Sequence, residues 1–432
     1  MTYIEIVDLA VGIISGALSL LTLHFVIFTV VGVLFKRKYP VSERKLRYGI
    51  AVSARNEATV IGQLIESVRK NDYPQEKLEI FVVAHNCTDR TAEIARAAGA
   101  TVYEYNNPDE CTKGYALKHL FERVKEEHGA DAFDGFIILD SDNVLDASYI
   151  SRMNDAFVAC GEKNTITSFR HSKNFGHNTL SAIYGLFWIN GCRFEMRGRS
   201  VLDCSTRVPG TGFLISREVV RDGWKYVTLT EDWEFSADRV ISGEKIYYCD
   251  DAVFYDEQPT TLRIMWRQRV RWARGHLLVC VTRFADLLKS LLTPRSKGGS
   301  RTKGSVYDIF SNVFPALIVS TVLSIIQLIL YLFSPLFGHD LGALILSWLT
   351  GAARGFATGY LGMMLLAAFL YILEHRRIRG VSTQKKITSV LLYPLFMNIN
   401  FFCVIVALFS KNLKWKTIPH NDTTGFGDLN PQ

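Results

Sequence analysis

Between Asp8 and Lys36 the chain has no acidic or basic side chain, and only His24 interrupts the apolar run. About 20 apolar residues suffice to cross a bilayer, so this stretch predicts a membrane span near the N-terminus and constrains what can follow. Further apolar segments lie at residues 309–337, 341–373 and 387–409. Mean hydropathy is slightly positive, yet 21% of residues are charged. That mixture describes spans attached to a soluble domain rather than a uniformly apolar protein. Glu5 and Asp8 precede the first run and Lys36-Arg37-Lys38 follow it, which predicts an outside N-terminus and a cytosolic domain next. A basic start and a small-residue cleavage site are lacking, which disfavours a removable signal peptide.

The net charge of +7 is modest, and basic clusters such as His375-Arg376-Arg377 and Lys385-Lys386 flank apolar segments. This is membrane-flank charge, not a nucleic-acid footprint. The eight cysteines are scattered, with no CxxC pair or zinc spacing, and fit a reduced cytosolic domain.

From Arg47 the pattern changes. Short apolar runs at residues 48–54, 80–84 and 136–139, with a weaker one at 101–105, read as buried strands. Between them lie an amphipathic helix through Val60, Ile61, Leu64, Ile65 and Val68, one capped by Thr88 or Asp89, and one over residues 113–124. This βαβ series predicts an α/β, doubly wound parallel sheet with its ligand at the carboxyl ends of the strands.

Polar groups stand at those ends. Arg55-Asn56-Glu57 follows the first strand and His85-Asn86-Cys87-Thr88-Asp89 the second, where each would also serve as a helix cap. The run GFIILDSDN stops at Asp140 and Asp142, oxygen ligands of the kind Mg2+ or Mn2+ prefers, although a solvated turn has the same composition. Thr230-Glu231-Asp232 opens a helical stretch over residues 233–241, where a carboxylate suits a general base but also an ordinary first turn. Val208-Pro209-Gly210-Thr211-Gly212-Phe213 suits close passage of backbone and ligand, and Lys113 stands just before a glycine and a helix.

Residues 259–282 join the two halves. On a helical wheel Trp266, Val270, Ala273 and Leu277 share an apolar face, with Gln268, Arg271, Trp272 and Gly275 opposite. Arg263, Arg267 and Arg274 lie on one flank and Arg269 on the other. The pattern predicts a helix in the membrane interface, apolar face toward lipid, arginines near phosphates, and the opposite face toward a site.

In order, Asp140-Ser141-Asp142, Thr230-Glu231-Asp232 and Gln268-Arg269-Val270-Arg271-Trp272 match the DxD, TED and QxxRW motifs of processive membrane family-2 glycosyltransferases. The chain resembles that family, which includes cellulose, hyaluronan, chitin and poly-N-acetylglucosamine synthases, from about Arg47 to Thr282; the tail matches by topology alone. The resemblance implies a cytosolic GT-A-like domain combined with transmembrane and interfacial helices. It implies a UDP-sugar donor, a glycan acceptor, Mg2+ or Mn2+, contact with membrane lipids, and room for an accessory secretion subunit. By the same carry-over Glu57 contacts uridine, Lys113 the diphosphate, Asp140 the nucleotide, and Asp142 the metal. Asp232 is the base with Glu231 beside it, and Arg271 holds the leaving diphosphate. Gly210, Thr211, Gln268 and Trp272 line the acceptor site. His85 stands where the family commonly has an aspartate.

The expected organisation is residues 1–46 as a span with a basic flank, 47–258 as the transferase domain, 259–304 as interfacial helices and linker, and 305–432 as a membrane region and tail. The expected location is the plasma membrane, multi-pass. In the last segment Pro394, Asn398 and Asn400 suit a re-entrant course, while three full crossings would put the basic KNLKWK stretch outside. Trp348 and Tyr360 are candidate sugar platforms. A glycolipid-forming enzyme keeps the same motifs. An inert sugar-binding scaffold would not need all of them in register, and a transporter would need more spans.

Overall fold

The structure is a computed structural model describing residues 1–293, 303–378, 380–410 and 417–430. Most of the linker expected at 296–304, and the KNLKWK stretch, fall outside the described residues.

The apolar N-terminal run forms two helices, α1 (Tyr3–Thr22) and α2 (His24–Leu34). The α/β domain then runs β1 (Tyr48–Ala54), α3 (Ile61–Arg69), β2 (Leu78–His85), α4 (Thr91–Ala97), β3 (Thr101–Tyr105), α5 (Lys113–His128), β4 (Gly135–Asp140) and β5 (Val144–Leu145). It continues with α6 (Tyr149–Ala159), β6 (Thr165–Ser172), α7 (Thr179–Asn190), a π-helical turn at Gly191–Met196, α8 (Arg197–Val201), β7 (Phe213–Ser216), α9 (Arg217–Val220), α10 (Glu231–Ile241) and β8 (Ile246–Asp256). After it come α11 (Leu262–Leu292), α12 (Lys303–Val313), α13 (Ala316–Tyr331), α14 (Leu341–Leu373), α15 (Thr383–Phe409) and the short α16 (Phe426–Leu429).

The eight strands order as β3-β2-β1-β4-β7-β6-β8-β5. The first four are parallel, with Tyr48 beside both Leu78 and Gly135. The all-parallel expectation fails past β4, because β7 pairs antiparallel with β4 and β6, and β5 antiparallel with β8. The sheet is therefore mixed. One face packs on α3, α4 and α6 through Ile50, Val52, Leu64 and Ile137, the other on α5 and α10 through Phe81, Leu117, Ile138 and Phe235. Strands buried on both faces explain the continuous apolar runs read from sequence.

The apolar helices are fastened to this domain. Gly198 of α8 packs so closely on α2 that a Cβ would lie 2.1 Å from the Phe28 carbonyl oxygen. Arg199, fully buried, donates to Asp308 of α12 (Nη2–Oδ1 2.8 Å), whose Oδ1 also lies 3.0 Å from His24 Nε2. Among the described residues three helical stretches are long and apolar enough to cross a membrane, Tyr3–Leu34, Leu341–Leu373 and Thr383–Phe409. The segment expected at 309–337 is a pair, α12 and α13, bent by 56°, which adds a fourth if it counts as one span.

The apolar face of α11, expected toward lipid, packs largely within the chain. Val270 and Ala273 are buried against Cys403 and Ala407 of α15, with Leu277 beside them, while Trp266 stays exposed. The face assigned to lipid is largely covered by a helix of the same chain. Arg269, expected near lipid phosphates, is buried instead, donating to the Phe396 carbonyl at 2.8 Å over the Phe396 ring. Trp348 packs with α1 and α13, and the Tyr360 hydroxyl donates to the Leu391 carbonyl, so neither candidate sugar platform borders the site.

Candidate active site

A cavity of about 340 Å³ opens at the carboxyl ends of the parallel strands and runs beneath α11. One end holds Glu57, His85 and His420, the middle holds Lys113, Asp140, Asp142, Glu231 and Asp232, and the other end holds Trp188, Glu195, Trp272 and His276. The DxD, TED and QxxRW motifs, separated by long stretches of chain between Asp140 and Trp272, thus meet in one space.

Local geometry places each group. Asn56 and Asn86 take left-handed backbone conformations (φ 59° and 51°) just past β1 and β2, turning the chain at the sheet edge so that Glu57 and His85 enter the cavity. The loop after β4 is pinned by Thr211, whose hydroxyl accepts from the Asp140 amide (2.8 Å) and donates to Asn143 Oδ1 (2.6 Å). Thr211 is completely buried and does not line the cavity, which corrects its expected acceptor-lining position; its side chain acts behind the aspartates. Gly210 does line it, and its carbonyl accepts from Lys113 Nζ at 2.7 Å. The same ammonium pairs with Asp140.

The electrostatics separate the carboxylates. Burial alone would raise Asp142, but the charges of His420 and Lys173 and the Glu257 amide (2.8 Å) hold it below the ordinary carboxylate range. It is therefore ionised. Burial and the charge of Asp232 lift Glu231 to about 8. Burial also raises Asp232, against the Trp233 amide and the charge of Arg271. The pair therefore retains one proton at neutral pH, held on the Glu231 side. Arg271 donates to the Leu229 carbonyl at 2.8 Å, just before these acids. Burial lowers His85, leaving a neutral ring stacked on Tyr105, with Nε2 2.6 Å from the Glu110 carbonyl oxygen.

Asp140 and Asp142 provide hard carboxylate oxygens from one rigid turn. Asp142 accepts one hydrogen bond on each oxygen, from Glu257 N and from Asn143 Nδ2 (3.2 Å), so lone pairs remain for a cation. Among the described residues no cluster of three His, Cys, Asp or Glu forms a complete cage. The pair fits a Mg2+ or Mn2+ ion whose remaining ligands are water and phosphate oxygens.

Several lining groups had no motif to announce them. Arg170 lies 3.6 Å from the Trp188 ring centroid, donates to Asp256 (Nε 2.8 Å) and to the Pro209 carbonyl (2.9 Å), and so braces one wall. Trp188 meets Trp272 edge-on at 5.7 Å. His420 arrives from the far end of the chain, its Nδ1 3.0 Å from both Glu57 carboxylate oxygens. Burial would lower this imidazole, but Asp142 and Glu57 outweigh it and raise it to about 10, so the ring is a cation. An invariant spacing could not reveal a contact spanning 363 positions.

Residues 46–275 match the family model described as glycosyltransferase like family 2, a little over half of the chain. The chain is 28% identical over 257 residues to probable glycosyltransferase YdaM of Bacillus subtilis (strain 168), covering 56% of this chain and 58% of the relative. It is 24% identical over 249 residues to beta-monoglucosyldiacylglycerol synthase of Synechocystis sp. (52% and 47%). With poly-beta-1,6-N-acetyl-D-glucosamine synthase of Staphylococcus epidermidis it shares 25% identity over 244 residues (54% and 56%). The chain spans about half the length of the curated relatives it matches. Among solved structures it is similar to mannosyltransferase PcManGT from Pyrobaculum calidifontis, in complex with GDP-Man and Mn2+, with 15% identity, a TM-score of 0.54, and 93% and 100% of the two chains covered. At that identity the likeness establishes the shared GT-A-like fold.

Proposed function

Since the chain belongs to glycosyltransferase family 2, we propose that it is an inverting enzyme, transferring a sugar from a UDP-sugar to a hydroxyl of a growing β-linked glycan at the cytosolic membrane face. The observation that carries this reading is the shared cavity in which Asp232, Arg271 and the Asp140/Asp142 turn face one space lined at one end by indole planes. The cavity holds a base, a leaving-group cation and flat apolar surfaces suited to a pyranose ring.

In this mechanism Asp232 accepts the proton of the acceptor hydroxyl, and the hydroxyl oxygen of the acceptor forms the new bond at the anomeric carbon as the bond from that carbon to the diphosphate oxygen breaks. Displacement in one step inverts the anomeric centre. Lys113 and Arg271 balance the charge growing on the leaving diphosphate. Asp140 and Asp142 would hold a divalent cation, which supplies further charge stabilisation there when bound. Glu57 borders the nucleotide end, and Glu231 keeps its proton beside the base. Burial of the acids, reflected in their raised affinity for protons, brings Asp232 closer to the working pH of a general base.

A second reading, transfer to the head group of a lipid, is supported by the membrane helices. Only 11% of the apolar window in Tyr3–Leu34, and 11% in Leu341–Leu373, is buried by the rest of the chain. Their faces are open to lipid, where a glycolipid acceptor would lie. Incubation of purified protein with labelled UDP-sugars, alone and with diacylglycerol or a glycolipid, separates the two: a ladder of polymer supports the first, and a single labelled lipid the second. Absence of any transfer from UDP- and GDP-sugars alike would refute both.

A further inference from the structure

His276 lies on α11 one turn beyond Trp272 and lines the acceptor end of the cavity. Two contacts hold it there. Gly275, its neighbour, presses on the residue that opens the acidic helix: a Cβ at this position would lie 2.1 Å from Thr230 Oγ1. The His276 ring then packs on the Trp233 indole, centroids 4.3 Å apart at 62°. Thr230 and Trp233 bracket Glu231 and Asp232, so α11 holds the imidazole against the helix that carries the base, in the same cavity. Among the described residues no hydrogen bond to its ring nitrogens is formed.

We propose that His276 is an acceptor-binding residue which hydrogen-bonds a hydroxyl adjacent to the reacting one on a neutral sugar ring and so orients that ring toward Asp232. The assignment rests on the transferase reading above. Burial, then the charge of Arg207, keeps the imidazole neutral by lowering it to about 3. A neutral ring offers one donor and one acceptor, the pairing a sugar hydroxyl makes. The surrounding charge favours an uncharged acceptor. Arg207 is paired with Glu195 at 2.9 Å, and Glu195 is shared with Arg199 at 3.1 Å, itself paired with Asp308. The charges of Arg207 and of Arg199 behind it are therefore already neutralised, which suits a sugar better than a phosphate-headed alcohol.

The test uses the full-length protein in lipid nanodiscs with UDP-sugar and two acceptor arms, a free β-linked oligosaccharide and the same sugar on a glycolipid. In whichever arm the parent turns over, His276→Ala raises the acceptor KM about tenfold, the loss of one hydrogen bond in a buried site, with a smaller change in kcat. His276→Gln, which keeps a donor and an acceptor, recovers most of that loss, and His276→Phe does not. UDP affinity by calorimetry reports the fold and the donor end. An unchanged acceptor KM in the Ala and Phe variants overturns the proposal. So does a parallel loss of UDP affinity in all three variants, which would make the residue structural. Failure of the parent in both arms, with UDP- and GDP-sugars, would overturn the transferase reading instead.

Discussion

His420 and Glu57, 363 positions apart, form an ion pair in which Nδ1 donates to the carboxylate at 3.0 Å. Neighbouring contacts extend the docking: Asn421 and Asp422 amides donate to Glu257 (3.1 and 2.9 Å), Lys173 donates to the Asp422 carbonyl (2.9 Å), and the Ala147 amide donates to Asn430 (3.0 Å). The imidazole is raised by folding, so the pair is complete below the ordinary histidine range and is lost only as pH climbs toward about 10. Limited proteolysis of the tail should accordingly be slow at neutral pH. It should accelerate in His420→Ala at all pH values, and in the parent only on approach to that alkaline limit. Equal cleavage of parent and variant at neutral pH would show that the tail is not docked.

The start of α15 is tied to the same domain, since Lys385 Nζ donates to the Gly176 carbonyl at 2.6 Å. With its beginning and the tail after its end both on the α/β domain, and its second half alongside α11, this helix should lie along the interface rather than cross the membrane. Single cysteines introduced at Gln384 and at Thr423 should react with an impermeant reagent from the same side as one placed near Asn107. Opposite-side labelling of the first two would require a crossing.

Glu231 is raised to about 8, so native stability should decline as pH rises from the ordinary glutamate range toward that value. Glu231→Gln carries no titrating proton. Thermal melts should show the variant gaining on the parent at about pH 9 and not at about pH 5. No pH-dependent difference would mean that the carboxyl ionises freely.

Gly198 leaves no room for a side chain against α2, where a Cβ would meet the Phe28 carbonyl oxygen at 2.1 Å. Gly198→Ala should cost about 1–3 kcal/mol through overpacking and loosen the N-terminal helix from the domain. A melt indistinguishable from the parent would show that α2 yields without penalty.

Trp272→Ala removes an indole plane at the acceptor end, whereas Arg271→Ala removes a cation beside the acids. If the proposed roles hold, Trp272→Ala weakens polymer or glycolipid formation about ten- to hundredfold, the scale of one stacking contact. Hydrolysis of donor to UDP, which needs no acceptor sugar, should fall less. Arg271→Ala should depress both. Equal losses in the two assays for Trp272→Ala would remove its acceptor role.

Much of this was legible in the sequence for identifiable reasons. Strand β1 begins and ends at the expected residues because a strand buried on both faces must be continuously apolar, whereas β3, a half-exposed edge strand, gave only the weaker run. DxD, TED and QxxRW are short local motifs, and the fold brings all three to one cavity. The antiparallel turn of β7 was hidden because its four residues carry no strand-direction signal. Arg269 shows the limit of a helical wheel: its charge pointed to lipid phosphates, but the carbonyl and ring of Phe396, 127 positions away, take it. Thr211 adjoins a cavity-lining glycine yet faces the opposite way, and only tertiary contacts with Asp140 and Asn143 reveal it. His420 is ordinary in sequence and becomes notable only through Glu57.

In the proposed mechanism Asp232 removes a proton from an acceptor hydroxyl during transfer with inversion. The most direct measurement is NMR of the product from an α-linked UDP-sugar with Mg2+ or Mn2+, for the parent and for Asp232→Asn. The parent should give a β-linked product, and the variant should lose roughly 10²- to 10⁴-fold in transfer with UDP affinity nearly intact. An α-linked product, or a variant that retains most of the parent's rate, would contradict it.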